Sequence, residues 1–269
     1  MKIDGHIHTP YCPHGSKDSF EEYIEQAIKQ DFSTITFTEH APLPPSFEDP
    51  TPDKDSSMPF QQLENYLKTL TDLKKKYAND IHIQTGLEID FIEGFEQETT
   101  DFLQTYGHLL DDSILSVHFL KQNDHYFCLD FSDDTFQEMI HSFGITAKIY
   151  EAYFHTVKQS IKADLGPYKP KRIGHITLVH KFQKRFPCDL SFERETTELL
   201  QLVKSNGLEL DYNAAGLSKP LCGEPYPTEK LVKQAASMGI PLVYGSDAHQ
   251  ANDVGQHYHQ LQKVLLGQS

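Results

Sequence analysis

The sequence predicts one α/β domain in which a short apolar strand is followed by an amphipathic helix, seven times over. Two observations carry this. Continuous β-branched or apolar runs recur along the chain, as parallel strands covered on both faces require. Between them, apolar residues fall at helical spacing. With no internal repeat and no low-complexity tract, residues 1–269 read as a single domain.

The first strand reads Lys2–Thr9. Ser19 then caps a helix with Glu22 reaching back in a capping box, and Phe20, Tyr23, Ile24, Ala27 and Ile28 form its apolar face. The second strand is Thr34–His40. Ala41–Pro59 contains Pro42, Pro44, Pro45, Pro50, Pro52 and Pro59, and is expected to be irregular. Leu63, Tyr66, Leu67, Leu70, Leu73 and Tyr77 mark the next helix. The third strand spans Ile81–Ile92 and its helix Gly94–Gly107. The fourth spans Ser113–Leu120, with one long helix over Thr135–Ala163. Arg172–Leu178 is the fifth strand, followed by a helix over Phe192–Asn206. Leu208–Ala214 is the sixth, followed by a Gly/Pro-rich loop, Leu217–Pro227, and a helix over Thr228–Met238. Pro241–His249 is the seventh strand and Asn252–Leu266 the last helix. Closed into a barrel, this chain would gather its chemistry at the carboxyl ends of the strands. The two long loops would serve there as lids or binding loops.

The charge excludes one class of function. Against 24 Lys and Arg stand 39 Asp and Glu, a formal charge of −15. A protein that binds nucleic acid by neutralising phosphates carries the opposite sign. A phosphate-bearing substrate remains compatible, because bound cations reverse the local sign. No apolar run reaches membrane-spanning length, so no membrane partner is expected. The start, Met1-Lys2-Ile3-Asp4, lacks a signal-like apolar region, and the cysteines (Cys12, Cys128, Cys188, Cys222) form no CxxC pair. Both features fit a cytoplasmic location with reduced thiols.

The informative residue is histidine, present 15 times. The first strand ends in His6-Ile7-His8 and the second in Glu39-His40. The third carries Glu88, the fourth His118, the fifth His175, and the seventh ends in Ser246-Asp247-Ala248-His249. Residues two apart on a strand point to one side, so His6 and His8 can face one metal ion, and Asp247 and His249 one cluster. Imidazole and carboxylate are ligands for divalent transition metals. A Glu88 buried in an apolar strand would be costly unless a cation met it.

These pieces resemble the PHP family, the polymerase-and-histidinol-phosphatase metal-dependent phosphoesterases. The matching stretches are Asp4-Gly5-His6-Ile7-His8-Thr9, Pro13-His14-Gly15, Thr38-Glu39-His40, Gly86-Leu87-Glu88, Ser116-Val117-His118, Gly174-His175 and Gly245-Ser246-Asp247-Ala248-His249. Tyr11-Cys12-Pro13-His14-Gly15 and Gly223-Glu224-Pro225-Tyr226-Pro227 are similar to its histidinol-phosphate phosphatase subgroup. The resemblance implies a distorted (β/α)7 TIM-like barrel holding three divalent ions, Zn, Mn or Fe. It implies that His6, His8, Glu88 and Asp247 bind the first ion. Glu88 would bridge to a second, completed by His118 and His175, and His14, His40 and His249 would bind the third.

The reaction implied is hydrolysis of a phosphomonoester. Such esters hydrolyse very slowly, and paired cations supply an activated water and offset the charge developing on phosphorus. Asp247, Glu88 and His249 are the residues expected nearest the chemistry, with Asp247 a candidate for protonating the leaving alkoxide. For the substrate phosphate, Arg185 is the first expected anchor because its fork can hold two oxygens. Lys181, Lys219 and His180 are further expected contacts, whereas Lys171 and Arg172 precede their strand and should lie on the opposite face. Cys12 and His155 are read as structural, and His82, His108, His125, His141, His257 and His259 as surface or helix residues. The subgroup likeness implies L-histidinol phosphate as substrate, in histidine biosynthesis. Asp90, Glu93 or Glu224 would face its cationic end. Another phosphomonoester, such as phosphotyrosine or a nucleotide, and a non-catalytic metal-binding module are the alternatives.

Overall fold

A computed structural model of the chain describes residues 2–265, and the side chains of residues 2–263. Strands β1 (Ile3–Ile7), β2 (Thr34–His40), β3 (His82–Asp90) and β4 (Ile114–Ser116) pair in parallel in chain order. A hairpin of β5 (Phe119–Gln122) and β6 (His125–Cys128) intervenes. Then β7 (Arg172–Ile173), β8 (Glu209–Asn213) and β9 (Leu242–Gly245) complete a seven-stranded parallel sheet. The sheet nearly closes on itself above β9, where Asp247 N donates to His6 O at 2.7 Å and His8 N to Ala248 O at 3.0 Å. The fold is thus a distorted TIM-like barrel.

Helices α1 (Phe20–Lys29), α2 (Leu63–Lys76) and α3 (Glu96–Tyr106) follow the first three strands. The Ser19–Glu22 capping box is formed, and Phe20, Tyr23, Ile24 and Ala27 are buried against the sheet. Next come α4 (Asp133–Phe143), α5 (Thr146–Lys162), α6 (Glu193–Ser205), the short α7 (Ala215–Ser218), α8 (Glu229–Ser237) and α9 (Tyr258–Leu265). The expected end of the last helix, Leu266, lies outside the described residues. No helix among the described residues is long and apolar enough to cross a membrane.

Three expectations are corrected. The long helix over Thr135–Ala163 is two, because Gly144 adopts φ +92° and ends α4; the following Ile145 is extended. The strand over Ser113–Leu120 breaks after Ser116, and Phe119 onward turns away into the antiparallel hairpin, with Asn123 at φ 55° in a two-residue turn. The strand over Arg172–Leu178 stops at Ile173, and the next residue, Gly174, packs so closely on Ser116 Oγ that a Cβ there would collide with it.

The region Ala41–Pro59 contains no helix or strand, as its prolines dictate. It is nonetheless packed: Phe47 meets Phe119 and Tyr126 of the hairpin edge-on, with ring centres 5.0 and 5.1 Å apart. Loop and hairpin thereby form one wall beside the carboxyl ends of the strands. At the opposite end Arg172, 2% exposed, donates to Gly5 O at 2.6 Å and pairs with Asp112 and Glu209. It lies on the face away from the histidines.

Candidate metal centre

Most of the expected ligands reach the mouth from the carboxyl ends of the strands. His6 lies within β1 and His8 one residue past it. His40 ends β2, Glu88 lies in β3, and His118, His175 and Asp247 each follow two residues after their strands. The turn after β9 needs an unusual backbone, with Asp247 at φ 55°, a left-handed conformation that aspartate tolerates better than most residues. His14 and His249 come from the loops at the rim.

The donor atoms cluster at a spacing that fits metal coordination. His6 Nε2 is 3.3 Å from His8 Nε2, 3.4 Å from Glu88 Oε2 and 3.6 Å from Asp247 Oδ1. His8 Nε2 is 3.1 Å from Asp247 Oδ1 and 3.6 Å from Glu88 Oε2. Ligand atoms about 2.1 Å from one tetrahedral ion stand roughly 3.4 Å apart. The other oxygen of Glu88 serves a second group: Oε1 lies 2.9 Å from His175 Nε2 and 3.7 Å from His118 Nε2, and accepts from Ser116 Oγ at 2.6 Å. Around a third point the rings of His14, His40 and His249 stand 5.2 to 5.9 Å apart, with His249 stacked on His8 at 4.0 Å. Buried Cys12 lies beside His8, His40 and His249, and burial pushes its thiol well up, so it stays protonated.

The far nitrogens of four of these rings, those of His6, His8, His14 and His118, are held in place. His6 Nδ1 donates to Asp211 at 2.8 Å, His118 Nδ1 to Asp90 at 2.8 Å, and His14 Nδ1 to the Asp55 carbonyl at 2.8 Å. His8 Nδ1 faces Glu39 at 3.4 Å, and Glu39 itself accepts from Thr9 N at 2.9 Å. This is how proteins fix a metal-binding imidazole, with the outer nitrogen protonated and the inner one free. Asn213 Nδ2 does the same for Asp247, donating to Oδ2 at 3.1 Å while Oδ1 faces the histidines. Of these supporting groups, Glu39, Asp211 and Asn213 had a sequence signal, since they sit beside ligands or at strand ends.

The electrostatics show what the cluster lacks. Burial pulls His8 down, yet Asp247 and Glu39 outweigh it and hold the ring at about 9. His118 is likewise held at about 10, burial being outweighed by Asp90 and Glu88. Glu88 and Asp247, which burial alone would raise, are kept well below the usual carboxylate range by the surrounding histidines. Burial and the charge on His8 push His40 and His249 well below the ordinary histidine value. Mixed nitrogen and oxygen donors of this kind bind divalent cations, and they release protons as they do so.

The expected phosphate anchors separate. A cavity of about 230 Å³ over the ligands is walled by Lys181 and Lys219 together with Asp130, Tyr226 and Leu178. Lys181 is oriented by Asp130, donating to its carbonyl at 2.6 Å and its carboxylate at 2.9 Å. Arg185 is not in this cavity. Its guanidinium, exposed, is taken up by Asp133 and Asp134 at the start of α4 and by Gln137. His180 is also turned away: it stacks on Tyr150, donates to Glu224 at 2.5 Å, and lines a neighbouring cavity. That pairing occupies Glu224 as well.

The chain is similar to known proteins over nearly its whole length. Residues 4–215 match the PHP domain family, and residues 228–264 the PHP-associated family. The histidinol-phosphatase of Bacillus subtilis is 53% identical over 96% of this chain and 97% of its own. The crystal structure of a Listeria monocytogenes protein assigned as a histidinol phosphatase superposes with a TM-score of 0.92 at 43% identity, over 96% of this chain and 99% of that one. The histidinol phosphate phosphatase of Lactococcus lactis, crystallised with zinc, L-histidinol and phosphate, shares the fold with a TM-score of 0.73 at 19% identity, over 100% of this chain and 94% of that one.

Proposed function

The chain belongs to the PHP domain family, and on that premise we propose that it is a metal-dependent phosphomonoesterase hydrolysing L-histidinol phosphate to L-histidinol and phosphate. The observation that carries the reading is Glu88, whose two oxygens face two different imidazole groups at one buried point. Three divalent ions, Zn, Mn or Fe, fit the three groups of donors; bound there, they activate water and offset phosphoryl charge.

The chain's own residues do the rest. His6, His8, Glu88 and Asp247 hold the first position, Glu88, His118 and His175 the second, and His14, His40 and His249 the third. Lys181, anchored by Asp130, and Lys219 at the rim direct positive charge into the cavity and receive the phosphate. Neighbouring histidines keep Asp247 ionised, which favours its role as a ligand over that of proton donor. Tyr226 and Leu178 exclude water on the side away from the rim.

A second compartment of about 210 Å³ shares His14, His40, His118 and Lys181 with the first and suits the organic half of the substrate. Phe119 and Phe131 offer ring faces for an imidazole. Of its acids, Asp90 is engaged by His118 and Asp130 by Lys181, which leaves the Asp55 carboxylate for the ammonium group. Phosphate release measured over a panel of phosphomonoesters tests the assignment. L-Histidinol phosphate is expected to exceed phosphotyrosine and sugar phosphates by at least about 100-fold in kcat/KM, some 2.7 kcal/mol of transition-state discrimination. Equal rates would overturn the substrate and leave the metal centre standing.

A further inference from the structure

One cavity is larger than the metal mouth and lies apart from it. It measures about 610 Å³ and lies between the proline-rich loop and α3, walled by Pro44, Phe60, Phe102 and Tyr106. The rings form a continuous apolar face, Tyr106 standing 5.1 Å from Phe102 and 6.0 Å from Phe60, centre to centre. Phe60 is 51% exposed at its edge, an unusual cost for a phenylalanine on a protein that buries most of its aromatic rings.

The polar lining has one sign. Asp90, Glu98 and Asp101 face this space, and no lysine, arginine or histidine does. Glu98 accepts only from Ser46, and Asp101 accepts from Gln97 at 2.8 Å, so neither is neutralised by a basic side chain. Asp90 is 5% exposed; its Oδ1 is taken by His118, and its Oδ2 is buried without a hydrogen-bond partner. Glu98 and Asp101 beside an aromatic wall, with the buried, unpartnered Oδ2 of Asp90 behind them, attract a compact cation with an apolar body, through ion pairing and the ring faces together.

We propose that this cavity is a second ligand site, outside the metal mouth, for an organic ammonium ion carrying an aromatic or similarly flat apolar group. Asp90 forms a wall of both this cavity and the substrate compartment, and it holds His118. The site is defined by binding and not by turnover, so it stands or falls independently of the substrate assignment.

The test is isothermal titration of the metal-loaded enzyme with phenethylamine, which is cationic at neutral pH, and with the uncharged 2-phenylethanol. One saturable site is expected for the amine, with at least tenfold weaker binding of the alcohol. Saturating inorganic phosphate and L-histidinol should leave the amine's affinity within twofold. Asp101→Asn, which keeps the side-chain shape, should weaken it at least fivefold. Thr105→Trp, which fills the mouth of the cavity from an exposed helix position, should abolish it, and both variants should keep normal phosphatase activity. Absence of a saturable site, equal binding of the alcohol, displacement by phosphate and histidinol, or unchanged binding to the Thr105→Trp variant would each overturn the proposal.

Discussion

Single side chains decide the chemistry at the mouth. Glu88 touches both of the first two donor groups, so Glu88→Gln removes the one negative charge they share while the hydrogen bond from Ser116 can persist. Turnover is expected to fall at least about 1,000-fold, roughly 4 kcal/mol, and metal content to fall with it, as measured by phosphate release and elemental analysis. The two cationic positions separate as cleanly. Lys181→Met should raise KM for the phosphate ester about tenfold or more, because an oriented charge leaves the cavity. Arg185→Met should change it less than twofold, since that guanidinium is already committed to α4. Steady-state kinetics on both variants distinguishes the two outcomes. His8 and His118 carry protons at pH 7 in the metal-free chain, being held at about 9 and about 10. Ligands must shed protons to bind metal, so loading at pH 7 should release protons and apparent affinity should climb with pH toward 9. Calorimetry in buffers of different ionisation heat reads that release directly, and a value of zero would contradict the assigned ligands.

Elements set the positions of those side chains through local backbone chemistry. Gly144 illustrates the effect without interference from packing, since a Cβ there would meet nothing within 4 Å and only its φ of +92° resists an L side chain. Gly144→Ala is expected to lower unfolding free energy by about 1 kcal/mol or more in denaturant titration, with turnover unchanged. The β5–β6 hairpin shows the same principle from the other side. A two-residue turn at Asn123 reverses the chain and brings Phe119, Cys128 and Asp130 to the edge of the mouth, where a continued parallel strand would have carried them away. Just past the short β7, Gly174 allows close packing on Ser116, and the next residue, His175, stands 2.9 Å from Glu88.

At the scale of the whole molecule, the barrel is held from both ends. Arg172 fills the end away from the metals and links β1 to β8 through Gly5 O and Glu209, with Asp112 completing its partners. Arg172→Met leaves those acceptors without their donor. It is expected to cost about 3 kcal/mol of stability, seen as a lower melting temperature, while the metal-loaded fraction that remains folded keeps its activity. The other end is drawn together by the donors themselves: β1 and the segment after β9 meet where His6, His8 and Asp247 converge.

The sequence by itself determined the alternation of strands and helices, the capped start of α1, the irregular proline-rich loop, and the presence of a metal-ligand type at nearly every strand end. These are local signals, written in periodicity, capping residues and proline content, and they survive without knowledge of distant neighbours. Tertiary structure alone decided which carboxylate steadies which imidazole: Asp211 reaches His6 across 205 positions, and Asp90 reaches His118 across 28. It also sent Arg185 to α4 and His180 to Glu224 while turning Lys181 into the cavity, although all three lie in one short stretch. The reason is geometric. Closing a ring of strands fixes how far each element is rotated about its axis, and a side chain's partner depends on that rotation, which no local pattern of residues encodes.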